Sequence, residues 1–328
     1  MNNRLLQFSY KYGALLFIGL VVVFFSLNNE YFFTSSNLLD ILRSISILTF
    51  VAIGVTISLT VDGFDLSVGS TVSLTTVATA TMMIWYEMPL AVVLIAPLVI
   101  GAAVGLLNAF LIVKVRIPDL LATLAVMYIV SGIHKTYTKG YSIYNNMQFQ
   151  DGTKAPGVMN PDFLWIGQGK LFGIPFPVIL MVLAVVGAHI FLKYTRFGRQ
   201  ATMTGGNEEA ARLSGVRVRR VRTWAYIASG VFASIGGILY TARVGSGQID
   251  AGAPMLMDAV AAVFVGYSVF GAGRPNIIGT FVGAVLTGIL INGLTMLHVQ
   301  YYTTDIIKGA VLVLALTVTF VHLSRRKA

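Results

Sequence analysis

The sequence predicts an all-α, polytopic membrane protein of about ten transmembrane helices, and three observations lead there. Of 328 residues, 56% are hydrophobic and only 11% charged, against about a quarter charged in soluble domains. Apolar runs of about twenty residues recur along the chain, each long enough as a helix to cross roughly 30 Å of hydrocarbon, and mean hydropathy is +0.80. Lysines and arginines gather between these runs rather than within them. Lipid offers backbone N–H and C=O groups no partners, so self-satisfied helices are the natural spanning element.

Taken in order, the apolar runs place spans at 12–28, 39–60, 68–86, 90–113, 117–134, 174–192, 223–242, 256–272, 276–297 and 304–323. All of 1–328 then forms one membrane domain. The first run follows Arg4 and Lys11, and no small-residue cleavage site closes it, so it reads as an uncleaved helix rather than a signal peptide. "VDGFDLSVGS" (61–70) interrupts an otherwise continuous apolar stretch between the second and third spans.

Ten spans put both termini on one side, and the cations say which. Arg4, Lys11, Lys114, Arg116, the eight from Lys193 to Arg222, Arg274, Arg325, Arg326 and Lys327 place sixteen of the 23 on the side of the termini. Lys135, Lys139, Lys154, Lys170 and Arg243 place five on the other. The positive-inside rule makes the termini and segment 193–222 of this multi-pass protein cytoplasmic. The longest external segment, 135–173, either carries function or rests on the spans as a lid.

Several function classes fall away. The chain has no cysteine, which excludes disulfides and thiolate metal sites. His134, His189, His298 and His322 stand far apart without ligand spacing, so no metal site is expected. The net charge of +10 flanks apolar segments, which argues for lipid contact and orientation rather than nucleic acid. No phosphate-loop motif occurs, so ATP chemistry of that kind is not expected of this chain. No Ser-His-Asp or paired-acid arrangement marks an intramembrane enzyme, and no bound cofactor is expected.

Five spans per half would put an internal repeat in inverted topology. "IGAAVGLLNAFL" (100–111) and "IGTFVGAVLTGIL" (278–290) resemble one another. Both carry small-xxx-small spacing, Gly101/Gly105 and Gly279/Gly283, which lets helix backbones approach closely.

The most charged stretch is "TGGNEEAARLSGVRVRRVRT" (204–223). Asn207 is suited to cap a helix start, and Glu208 and Glu209 fall in the first turn, where the dipole favours acids. Ala210 and Ala211 are helix formers, and Gly215 suits a left-handed C-terminal cap. A short helix over 207–214 is expected outside the bilayer, its small alanines exposed as a knob for docking; an ordinary loop with one helical turn is the alternative. Arg217, Arg219, Arg220 and Arg222 follow and would anchor the next span to lipid headgroups.

Ionisable groups at membrane depth default to functional candidates. Most acids here lie at span ends, where capping suffices, as expected of Asp119 after Pro118. Asp62 and Asp65 interrupt an apolar run beside Gly63 and Gly69, a pattern that fits either irregular backbone facing a cavity or a structural turn. Ser67 shares that element. Asn108, Thr123 and Asn292 sit inside spans and offer neutral hydrogen bonds, to a polar solute or to neighbouring helices.

"GGNEEAARLSGV" (205–216) resembles the cytoplasmic coupling motif of ATP-binding-cassette (ABC) importer permeases, in which Glu-Ala-Ala is followed after three residues by glycine; Glu209, Ala210, Ala211 and Gly215 match that spacing. Over nearly its whole length the chain resembles the ribose-type sugar permeases of bacterial ABC importers, within the broader branched-chain amino acid and sugar permease family. "FDLSVGS" (64–70), "PDLLATLAVMYIVSG" (118–132) and "GAVLTGILINGLTMLHV" (283–299) match family segments in order. It departs from the family at "VDGF" (61–64) and "GYSVFGAGRPN" (266–276), where paired glycines are usual.

The resemblance implies a permease subunit forming the pathway for a monosaccharide or similar polar solute. It implies three partners: a cytoplasmic ABC ATPase that holds the ATP, an external solute-binding protein and a second permease subunit, identical or paralogous. Asn207, Glu208, Glu209, Ala210, Ala211 and Gly215 would form the ATPase-docking element. Asp62, Asp65, Ser67, Asn108, Thr123 and Asn292 are the pathway candidates. A permease for amino acids or nucleosides, and an ion-coupled secondary transporter, are the competing classes.

Overall fold

A computed structural model describes residues 2–269, 273–300 and 302–311, together with Val313 and Thr317. Helix α1 (Asn2–Asn28) leads into α2 (Ser35–Thr60), α3 (Ser67–Ile84) and α4 (Leu90–Ala109), which continues without a break through a π-helical turn, Phe110–Val115. Then come α5 (Asp119–Tyr137), α6 (Pro161–Gln168), α7 (Phe176–Tyr194), α8 (Arg196–Gly206) and α9 (Glu208–Leu213). Helices α10 (Val218–Val244), α11 (Gly252–Ser268) and α12 (Ile277–Met296) follow, and 302–311 is again helical.

Among the described residues seven helices are long and apolar enough to cross a membrane: α2, α3, α4 with its π turn, α5, α7, α10 and α12. Leu15–Asn28 in α1 and Gly252–Tyr267 in α11 are shorter apolar stretches matching the expected first and eighth spans. Half of the expected tenth span, and the end of the eighth, lie outside the described residues.

Helices α1, α2, α10 and α11 start earlier than the apolar runs imply. Thr34 caps α2 by accepting from Asn37 N–H at 3.4 Å, which pulls Ser35 to Leu38 into the helix. Helix α10 begins at Val218 rather than 223, so Arg219, Arg220 and Arg222 are helical.

Burial does not follow hydropathy as it does in a soluble protein. Helix α3 has the lowest mean hydropathy of the seven, 1.2, shared with α5, yet 83% of its most apolar window is buried, against 22% for α7 at hydropathy 2.2. Outside is hydrocarbon here, so the greasiest faces point outward and the hydroxyl-rich helix goes to the centre. Its threonines need no outside partner: Thr71, Thr75 and Thr79 each donate to the carbonyl four residues earlier, at 2.6–2.9 Å.

Helix α10 crosses α2, α3 and α4, while α12 lies against α2 and α11. The second span of each half thus pairs with the fourth span of the other, the crosswise packing an inverted repeat requires. The two glycine pairs find different partners, however. Gly101 and Gly105 face the α10 backbone at Gly230 and Tyr226, whereas Gly279 and Gly283 face α11 at Gly266 and Ala262.

Segment 138–175 is folded onto one end of the bundle. Strand β1 (Ile143–Tyr144) pairs antiparallel with β4 (Ser246–Gly247), and β2 (Lys170–Leu171) forms a small hairpin with β3 (Ile174–Pro175). Ile143, Met147, Met159 and Phe163 are buried against Ala80, Met83 and Ile84 of α3 and Ile238 and Ala242 of α10. The opposite end carries α8, α9, the 61–66 connection and most of the arginines.

Candidate functional site: the arginine-rich end and its short helix

Helix α9 has only six residues, too few to persist without caps, and both ends are capped. Asn207 Oδ1 accepts from Ala210 N–H at 2.9 Å. At the other end Gly215 adopts φ +82°, its N–H donates to Arg212 O and that of Val216 to Ala211 O, both at 3.0 Å. That pair of bonds is a Schellman closure, which needs a left-handed residue. The acids sit in the first turn as expected, with Arg212 in the last.

One expectation changes. Ala210 is exposed, but Ala211 is buried at 1%, because a six-residue helix must turn one side onto the protein to be held there. The outward side is Glu209, Ala210 and Leu213, the last 80% exposed. Arg212 binds both oxygens of Glu209 at 2.7 Å, a solvent-exposed pair of small energetic worth.

Arg222 does not run out to headgroups. It is 17% exposed and joins three elements: Nη2 reaches both carboxylate oxygens of Asp119 at 2.6 Å, and Nη1 reaches Glu208 Oε2 at 3.2 Å. Tyr226 Oη also donates to Asp119 Oδ1. Asp119 therefore acts as an ion-pair partner; no side-chain cap bond forms at the start of α5. Gly63 completes the cluster, since a Cβ there would lie 2.5 Å from Tyr226 Oη. Sequence reasoning assigned Arg222 to headgroup anchoring and did not single out Tyr226. Their only signal is an arginine one turn before a tyrosine at the foot of a span.

One step deeper lies a second cluster. Asp65 is 1% exposed and accepts at Oδ1 from Ser67 N–H (3.0 Å), Ser67 Oγ–H (2.7 Å) and Asn108 Nδ2 (3.2 Å), and at Oδ2 from Ser229 Oγ–H (2.8 Å). Asn108 Nδ2 donates also to Ser67 Oγ at 2.7 Å, while its Oδ1 has no protein donor. In this connection between spans, burial pushes the Asp65 carboxyl up, outweighing the Ser67 and Ser229 hydrogen bonds that pull it down. Ser229, on α10, was not singled out from sequence.

The remaining candidates divide. Thr123 Oγ–H is placed to donate to Phe64 O at 3.0 Å or Asp119 O at 2.9 Å, bridging the two clusters. Asp62 is exposed in a left-handed conformation (φ +57°) beside Gly205 of α8. Asn292 stands apart, exchanging amide hydrogen bonds with Asn37 of α2 at 2.8 and 3.1 Å. Asp65, Ser67, Asn108 and Thr123 thus meet, Asp62 borders them, and Asn292 does not join. Among the described residues no group of three or more His, Asp or Glu could hold a metal ion.

The chain is 35% identical to the ribose import permease protein of Escherichia coli K12 over 305 residues, 93% of this chain and 92% of that one. Identity to the ribose import permease protein of Bacillus subtilis 168 is 34% over 319 residues, 97% and 94% of the two chains. The galactose/methyl galactoside import permease protein of E. coli K12 is 32% identical over 329 residues, covering 96% and 95%. No solved structure matches. Residues 37–316 match the family described as the branched-chain amino acid transport system / permease component. With seven helices among the described residues long and apolar enough to span a membrane, a capped helix standing on its arginine-rich end and 85% of its length inside that match, this chain belongs to the branched-chain amino acid transport system permease family, whose members are membrane subunits and not ATPases.

Proposed function

We propose that the chain forms the translocation pathway of an ABC importer for a monosaccharide of the ribose class. The sugar assignment is supported by relatives named for ribose and galactose. A separate ATPase holds the ATP, an external solute-binding protein delivers the solute, and a second permease subunit completes the pathway. The observation that carries this reading is α9, a helix capped at both ends and presenting Glu209, Ala210 and Leu213 outward. The docking element is Asn207, Glu208, Glu209, Ala210 and Gly215, with Ala211 supporting it from below. Asp62, Asp65, Ser67, Asn108 and Thr123 form the joint at the inner end of the pathway, and Asn292 lies toward its other end.

Because Ala211 is buried, the residue that tests docking is Ala210. Ala210→Trp should leave the folded yield unchanged, abolish co-purification of the ATPase and abolish ATP-dependent ribose uptake in proteoliposomes carrying the whole importer. Normal uptake by this variant would refute the docking role. Galactose, leucine and uridine assayed beside ribose decide the solute class; leucine or uridine uptake without sugar uptake overturns the sugar reading.

On this reading both termini and segment 193–222 are cytoplasmic. The cysteine-free background allows a direct check: single cysteines at 150 and 210 should react with an impermeant thiol reagent from opposite sides. Labelling of position 210 in intact cells would reverse the orientation.

A further inference from the structure

At the arginine-rich end a cleft of about 760 Å³ opens between the foot of α4, the start of α5 and the first turn of α10. Six arginines line it against two carboxylates, Asp119 and Glu208. Those carboxylates are both engaged by Arg222, and Arg212 is paired with Glu209. Arg116, Arg217, Arg219 and Arg220 form no ion pair among the described residues, and six arginines against Asp119, Glu208 and Glu209 leave a surplus of three positive charges.

Two further observations say what the surplus is for. Arg222 Nε is buried with no acceptor, so Asp119 and Glu208 leave that guanidinium incompletely satisfied. The 27-residue helix α10 begins at the cleft with no side-chain cap; Val218 N–H and Arg220 N–H donate to Val216 O and Arg217 O at 2.9 Å, and the positive end of the helix dipole faces the cleft. Forked guanidinium donors beside the positive end of a helix dipole are the chemistry that recognises a phosphate. The rest of the lining is apolar, with Ile112, Val113 and Ile117 at the ends of two spans. A soluble anion has no use for that wall, whereas a phospholipid covers it with its glycerol and first acyl carbons.

We propose that this cleft is a binding site for the phosphate of an anionic phospholipid headgroup. The site is distinct from a general basic belt because it is concave, combines four elements, α9 among them, and contains the Glu208–Arg222–Asp119 bridge. A bound phosphate there would compete with Glu208 for Arg222 and so bear on how firmly α9 is held. The inference concerns binding by this chain alone and does not depend on the ATPase reading.

The test uses the full chain purified in a neutral detergent at physiological salt. Dioctanoyl phosphatidylglycerol and dioctanoyl phosphatidylcholine are titrated in parallel and read by native mass spectrometry. Wild type should retain one phosphatidylglycerol saturably and phosphatidylcholine far more weakly. Replacing Arg217, Arg219 and Arg220 together by Gln should weaken phosphatidylglycerol roughly a hundredfold, at about fivefold per cation. Lys193→Gln, Arg196→Gln and Arg199→Gln combined remove the same charge from the same end outside the cleft, and should change binding less than about twofold. Equal loss in the two triple variants, or no preference between the lipids, overturns the site. Inorganic pyrophosphate that binds lipid-free protein as tightly as phosphatidylglycerol, in an Arg217-, Arg219- and Arg220-dependent way, overturns the lipid source and reassigns the phosphate to a soluble ligand. Should the Gln variant not fold, the corresponding triple Lys variant decides. It keeps the charge but loses the fork, so weaker binding supports the site and unchanged binding overturns it.

Discussion

Gly101 is where the packing of this bundle can be tested with a single methyl group. It faces Gly230 across the α4–α10 contact, and each glycine's Cβ position is occupied by the other's carbonyl. An alanine Cβ at 101 would overlap Ser234 Oγ and Gly230 O and lie 3.0 Å from the Gly230 carbonyl carbon. The serine can rotate away; the backbone carbonyl cannot. Restoring an ordinary C···O separation of about 3.3 Å requires the helices to part by on the order of 1 Å. Forced backbone shifts in a packed core cost about 1–3 kcal/mol, and backbone against backbone puts this one near the top, about 3 kcal/mol. Alanine recovers about 1 kcal/mol of helix propensity, so Gly101→Ala should destabilise by about 2 kcal/mol. Gly132 in α5 and Gly187 in α7 are the controls, with nothing within 4 Å of their Cβ positions. There the same substitution should stabilise by up to about 1 kcal/mol. Equilibrium unfolding in mixed micelles reads the difference, expected near 3 kcal/mol and opposite in sign. Gly101→Ala as stable as Gly132→Ala would show that the α4–α10 contact is not held at glycine distance.

Asp119→Asn and Arg222→Gln should not add. At 17% and 22% side-chain exposure the pair is screened relative to a fully buried one, so a coupling energy of about 1–2 kcal/mol is expected from the double-mutant cycle; additivity within about 0.3 kcal/mol would mean that the bridge contributes nothing. Asn37→Ala should cost about 1–2 kcal/mol because it strands the Asn292 amide, while Asn37→Leu with Asn292→Leu should recover most of the loss. If the double leucine variant is as unstable as the single alanine one, the amide pair is not where the cost arises.

The spans were legible because hydrocarbon length leaves its mark as apolar runs, and most ends fell within a few residues. The ends that moved did so for reasons outside hydropathy. Thr34 extends α2 by a side-chain cap, and α10 can begin among arginines because Asp119, 103 residues away in sequence, receives Arg222. The β1–β4 pairing joins residues 143–144 to 246–247 through two-residue strands, too short to carry a period-two signal. Ala211 was misplaced because a six-residue helix has too few turns for amphipathic periodicity to show which side faces the protein. Asp62, Asp65, Ser67 and Asn108 could be picked out as polar groups near apolar runs, but which would meet was not legible. That depends on Ser229 arriving from α10.

The two polar clusters explain why a sequence so poor in charge keeps Asp65, Asp119 and Arg222 together. Helix α9 buries one side chain, Ala211, so apolar packing alone holds it weakly: at about 25 cal/mol per Å² a methyl group gives well under 2 kcal/mol. Its other hold is Glu208 on Arg222, and Arg222 in turn grips Asp119 at the start of α5. From Asp119 the connection continues to Tyr226 in α10, and Thr123, one turn further along α5, can place its hydroxyl on Phe64 O beside Asp65. Asp65 then ties the 61–66 connection to α4 through Asn108 and to α10 through Ser229. A displacement of α9 is therefore delivered to α5 and α10 first, and to α4 and the start of α3 through directional bonds rather than through soft apolar contact. Replacing these groups by hydrophobic residues of equal volume could keep the bundle stable, but it would leave α9 attached by one methyl group.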